Sequence, residues 1–232
     1  MIEFDISFCQ KYPIICLATF ITIIPIIMAG VRKIFFSKTF LLLFVYLIIK
    51  LIIDLLMFHF ASHGKSTLIF YNFSLPINYL VLSGMYYTMF ENQLYKRWLL
   101  WSILAFSFFS IWDIIHVNKN LMNLHDHQVA LYSGTIQSLL MIFWILLYLY
   151  ETIQLLKISN LFKFSFFWIC AGFLLYFSSQ VFIASVLHYT EQWTNPLDLG
   201  FIYNVPYIFE IVCAILISVG INYFSLPDYA KQ

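Results

Sequence analysis

The sequence predicts an all-α polytopic membrane protein, a seven-transmembrane-helix bundle with its N-terminus outside and its C-terminus in the cytoplasm. Three observations predict it. Hydrophobic residues make up 62% of the 232 residues and charged residues only 10%, against about 25% charged in a soluble domain. Mean hydropathy is +0.88. The apolar residues gather into seven stretches, 13–30, 39–60, 68–90, 98–117, 128–150, 161–187 and 200–224, each near the roughly 20 residues that cross a hydrocarbon core as a helix. Lipid cannot hydrogen-bond an exposed backbone, so each span must be helical. The alternating pattern of an outer-membrane barrel is absent.

Each span has its own signature. The first begins at Pro13, after a start that carries Glu3 and Asp5 where a secretory leader would be basic; it reads as an uncleaved signal anchor. The second holds Lys50 and Asp54 one turn apart in its middle. The third presents Asn72, Asn78 and Ser83, and the fourth ends in Asp113-x-x-His116. Polar stripes at four-residue steps mark the last three: Ser133, Gln137, Met141, Trp144 and Tyr148; Gly172, Tyr176, Gln180, Ala184 and His188; Tyr203, Tyr207, Glu210, Ala214 and Ser218. Such faces point to the bundle interior.

Loop charge sets the orientation. Arg32, Lys33, Lys38, Lys96, Arg97, Lys157, Lys163 and Lys231 fall on one side, and only Lys11, Lys65 and Lys119 on the other. The richer side is read as cytoplasmic. The chain is expected to be a single membrane domain, 1–232, whose loops and tail are too short for a kinase, nucleotide-binding or DNA-binding module. A net charge of +1 offers no field for nucleic acid.

All six histidines fall on the outer side, accompanied by Asp113, Asp126, Glu191 and Asp198. Asp113 and His116 share a helix face, and with His125 and His127 they form a set that suits an outer-face divalent metal, a pH-sensitive pair or a plain solvated loop. Charges at depth are costly unless paired or facing a cavity, so Lys50, Asp54 and Glu210 are expected to form one buried network. The strongly polar stripe members lie outward of the membrane centre, above inner halves of Leu, Ile, Phe and Tyr. This predicts an outward-opening pocket over an apolar plug. Its ligand contacts would be Asn72, Asn78, Gln137, Tyr176, Gln180, His188, Tyr203 and Tyr207; the alternative is interhelical hydrogen bonding with no pocket. Cys9, Cys16, Cys170 and Cys213 lack metal-site spacing, and neither a disulfide framework nor a redox site is expected. Gly64-Lys65-Ser66-Thr67 mimics the end of a phosphate-binding loop but lacks the upstream glycine, since position 59 is His59.

Retinal is excluded as a cofactor, because rhodopsin-like chemistry needs a lysine in the seventh span and none occurs between Gly200 and Phe224. Seven-helix zinc hydrolases of the ceramidase kind carry intramembrane histidines such as H-x-x-x-H in the last helix, and that motif is missing. No cofactor is expected otherwise.

Asn72 to Phe90 (NFSLPINYLVLSGMYYTMF) and Phe167 to Phe182 (FWICAGFLLYFSSQVF) resemble the third and sixth helices of small seven-helix, sensor-like membrane proteins of Bacteroidota-type bacteria, often encoded near histidine kinases. The resemblance implies a sensory or regulatory role in a bacterial inner membrane. The function expected is therefore a receptor-like sensor that signals through a protein partner. The alternatives are a small-solute transporter, a structural subunit of a membrane complex and a membrane metal-dependent hydrolase. The lipid bilayer, a protein partner and a second copy of the chain are the expected partners.

Overall fold

The computed structural model describes residues 2–118, 128–154, 161–190 and 204–224. Those residues form helices α1 (Ile2–Lys11), α2 (Pro13–Ile21), α3 (Ile23–Val31), α4 (Lys38–Ser62), α5 (Leu68–Met89), α6 (Gln93–Val117), α7 (Leu131–Gln154), α8 (Ser165–Thr190) and α9 (Val205–Asn222), with no strand among them. Among the described residues seven segments are long and apolar enough to cross a membrane, α2 and α3 together making the first. The protein is an all-helical integral membrane protein.

The ends of the elements follow local chemistry. Pro25 has no N–H to offer the carbonyl of Ile21, and the first span breaks at Thr22, which both ends α2 and starts α3. α6 begins five residues earlier than its apolar run, because the Asn92 side chain caps it by accepting the Leu94 N–H at 2.9 Å. The 161–163 stretch is a separate 3-10 turn, so α8 starts at Ser165. The Gly64 stretch is a helix stop: Gly64 takes φ +67°, its N–H donates to the Ala61 carbonyl at 3.0 Å, and the Lys65 N–H donates to the Phe60 carbonyl at 2.9 Å. That is the bonding of a Schellman cap. One expectation is corrected: Cys9 and Cys16 form a disulfide. The chain turns between α1 and α2 at Tyr12–Pro13, which brings the two sulfurs together across helices that a straight reading would keep apart. Cys170 and Cys213 are free and buried.

The packing is a ring, α4–α5–α7–α8–α9, closed by α2 and α3, which lie against both α9 and α4; α6 stands outside and packs on α5 and α7. Its outer wall of Trp98, Trp101, Phe108 and Trp112 is exposed, as expected of a lipid-facing surface. We call the face where α2 begins the N-side and the opposite face the C-side. The C-side half of the ring is filled by aromatics. Phe166 is fully buried and meets Phe40, Tyr86 and Tyr148 with ring centroids 5.2–6.2 Å apart. On the same side α8 and α9 touch closely. A Cβ on Gly220 would come within 2.8 Å of the Ser165 carbonyl oxygen, and the Ser165 hydroxyl donates to the Gly220 carbonyl at 2.6 Å. Small residues serve membrane interfaces in this way because lipid supplies no hydrophobic drive between helices, leaving close packing and hydrogen bonds to do it. A satisfied polar chain ties in α6: Trp144 Nε1 donates to Tyr79 Oη at 3.1 Å, and Tyr79 Oη shares a 2.8 Å hydrogen bond with Ser102 Oγ.

Candidate functional site

The N-side half of the ring holds a cavity with about 290 Å³ open to the centres of water-sized molecules. Five helices line it, each with one stripe at helical spacing. α4 gives Tyr46, Lys50, Asp54 and Met57; α5 gives Tyr71, Ser74 and Asn78; α7 gives Gly134, Gln137 and Ser138; α8 gives Tyr176, Phe177 and Gln180; α9 gives Pro206, Tyr207 and Glu210. Gly134 matters because a Cβ there would sit 2.9 Å from Tyr71 Oη, so a larger residue would push that phenol off α7. The floor is aromatic. Tyr46 meets Phe173 at 5.5 Å, and Phe173 meets Phe177 at 6.2 Å. Beside the floor, a recess of about 20 Å³ touches Thr22, Lys50 and Glu210, and the buried Thr22 hydroxyl has no protein partner.

Charge is concentrated on one wall. Lys50 Nζ donates to Asp54 Oδ2 at 2.7 Å and also to Glu210 Oε1. The pairing with Asp54 is the i,i+4 contact of a single helix. The pairing with Glu210 crosses from α4 to α9, two helices that are not closely packed on each other. The three side chains keep 15%, 19% and 12% exposure. Each carboxylate uses one oxygen on Lys50. Among the described residues the second oxygens, Asp54 Oδ1 and Glu210 Oε2, have no partner, and they are not fully enclosed. Asn78 Oδ1 is enclosed and likewise has none.

Of the residues expected at a ligand site, Asn78, Gln137, Tyr176, Gln180 and Tyr207 line the cavity together with Lys50, Asp54 and Glu210. Asn72 does not. It is fully buried, its Nδ2 donates to the Gln128 carbonyl at 2.9 Å and its Oδ1 accepts from the Ala130 N–H at 3.0 Å, so both amide atoms are spent on tethering the chain before α7. His188 lies in the last turn of α8, and its side chain, like Tyr203, is outside the described residues. Tyr46, Tyr71, Ser74, Gly134, Ser138 and Pro206 were not anticipated. The signal was present for some of them: Tyr71, Ser74 and Asn78 are spaced i, i+3, i+7, a register that leaves Asn72 off the stripe.

The metal set does not converge where it is described. Asp113 is buried, and its Oδ2 accepts from the Ser133 N–H at 2.9 Å and the Ser133 hydroxyl at 2.5 Å. It caps the first turn of α7 from the neighbouring helix. His116 is exposed and stacks on Trp112 at 5.2 Å. His125 and His127 lie outside the described residues, and among the described residues no group of three His, Cys, Asp or Glu converges. Asp113→Ala is expected to cost about 1 kcal/mol of stability, the worth of a helix cap, in thermal melts with zinc and with chelator alike. A loss confined to the zinc-loaded protein would return Asp113 to the metal set. A second carboxylate does the same work at the C-side: Glu151 Oε1 accepts from the Asn92 N–H at 2.8 Å. No protein-family model matches the chain, and no curated protein and no solved structure is found to be similar to it.

Proposed function

We propose that the protein is a receptor-like membrane sensor that binds a small ligand in this cavity and passes the event to a protein partner. The observation that carries the reading is the asymmetry of the ring interior, polar and charged in the N-side half and filled with aromatic rings in the C-side half. A site of this form admits a ligand from one side and stops it at the floor. The coupling element is the Lys50 bridge. A ligand that prefers one arrangement of Asp54, Lys50 and Glu210 changes how α4 and α9 are held together, and a population shift needs only such a differential contact. We place the N-side outside the cell, in a bacterial inner membrane. The Lys/Arg excess on the other face supports this, and so does the Cys9–Cys16 disulfide, a bond of oxidising compartments.

The test is purification of the full chain in mild detergent, with mass spectrometry of bound proteins, lipids and metals. A second protein at fixed stoichiometry is expected. Stoichiometric metal with no protein partner would replace the sensor by an enzyme. A transporter is the second reading, favoured by the break of the first span at Thr22 beside Lys50 and Glu210, since broken helices at charged midplane sites are common in secondary transporters. Solute uptake into proteoliposomes that Glu210→Gln abolishes would establish it.

A further inference from the structure

We infer that the cavity takes a small organic cation carrying a primary ammonium group, an inference that rests on reading the cavity as a ligand site. The charged wall sets one ammonium against two carboxylates, and within a membrane an uncompensated charge costs several kcal/mol. A cation from outside the described lining would compensate it, because Lys50 is the only lysine or arginine in that lining and two of its three donors are already committed.

The unspent groups are acceptors. Among the described residues Asp54 Oδ1 and Glu210 Oε2 accept no hydrogen bond, and the two side chains keep 19% and 12% exposure in the cavity lining. The two carboxylate oxygens match two of the three N–H donors of a primary ammonium, the group Lys50 itself presents to the first pair of oxygens, and water or a tyrosine hydroxyl can take the third. The rest of the lining suits an organic cation. The rings of Tyr46, Tyr71, Tyr176 and Tyr207 offer apolar contact for its carbons and π faces for its charge. An anion would meet two carboxylates. A proton with water would also cancel the charge, but would leave the four tyrosine rings without a carbon skeleton or a cation to contact.

The experiment uses the full chain in nanodiscs, followed by thermal melting and calorimetry. The probes are n-propylammonium, its neutral isostere n-propanol, potassium and acetate. Stabilisation rises with ligand concentration over Kd. N-propylammonium is expected to raise Tm in a dose-dependent way while the other three at equal concentration do not. Glu210→Gln and Asp54→Asn should each weaken its binding about tenfold or more, as loss of one partner in a buried charge pair does. If either variant fails to fold, Tyr176→Leu, which keeps all three charges and removes a cavity ring, must still weaken binding. Equal stabilisation by potassium, or n-propylammonium binding untouched by these variants, overturns the inference. If n-propanol or acetate stabilises instead, and Ser138→Leu in the cavity wall removes the effect, the ammonium class falls while the ligand cavity stands. No response to any probe overturns both.

Discussion

Lys50→Leu is expected to produce the largest loss of stability of any single substitution in the bundle, about 3–5 kcal/mol, the range for removing one partner of a buried ion pair. Leucine keeps much of the lysine stem's volume, so packing changes little and the loss reports charge. Asp54 and Glu210 would be left side by side on one wall with no cation between them, and α4 and α9, which are not closely packed on each other, would lose the bridge that spans them. Two further variants make the assignment specific. Glu210→Gln alone leaves Lys50 paired with Asp54 at 2.7 Å, and its melting temperature should fall less. The triple variant Lys50→Leu, Asp54→Asn, Glu210→Gln removes every charge at once and should recover most of the loss, since replacing all members of a buried ionic group is often neutral. A triple variant as unstable as Lys50→Leu alone would show that the lysine stem, not its charge, holds the site.

Phe166→Ala is expected to cost about 3 kcal/mol, the low end for deleting a buried aromatic. The low end applies because the chain's reference state already sits in an apolar medium. What is lost is mainly dispersion contact and fit. Phe166 is fully enclosed and touches rings from α4, α5 and α7, so its removal opens a void where three helices meet. Phe108→Ala, at a position 75% exposed on α6, deletes the same side chain and should stay within about 0.5 kcal/mol of the parent. Equal melting of the two variants would refute the view that the C-side rings hold the ring of helices together.

The contrast between spans and tethers explains what could be read before the fold was known. Spans are written in composition, because a bilayer demands some 20 apolar residues in a row; every span expected from sequence has a counterpart helix or helix pair. Lys50, Asp54 and Glu210 stand out because charges at that depth are few, and the structure sets them side by side. Asn72, Asp113 and Glu151 were opaque for a common reason. Each accepts from a backbone N–H of another segment, and a backbone N–H is the same at every residue, so nothing in the sequence marks it as a partner. A polar side chain in a membrane span therefore looks alike whether it binds ligand or ties a helix end, and Asn72 was assigned to the first task while performing the second. The disulfide was hidden differently. Its two cysteines belong to separate helices, and only the bend at Pro13 relates them.

The break at Thr22 has a mechanical meaning. A continuous helix is a stiff rod, but two half-helices meeting where a hydrogen bond is missing bend at low cost. The N-side half, α2, is riveted to α1 by the disulfide. The C-side half, α3, is moored to α9 where Arg32 Nη2 donates to Asn222 Oδ1 at 2.6 Å. The first span is therefore a jointed strut, anchored to α1 at one end and to α9 at the other, with its joint set against the recess beside Lys50 and Glu210.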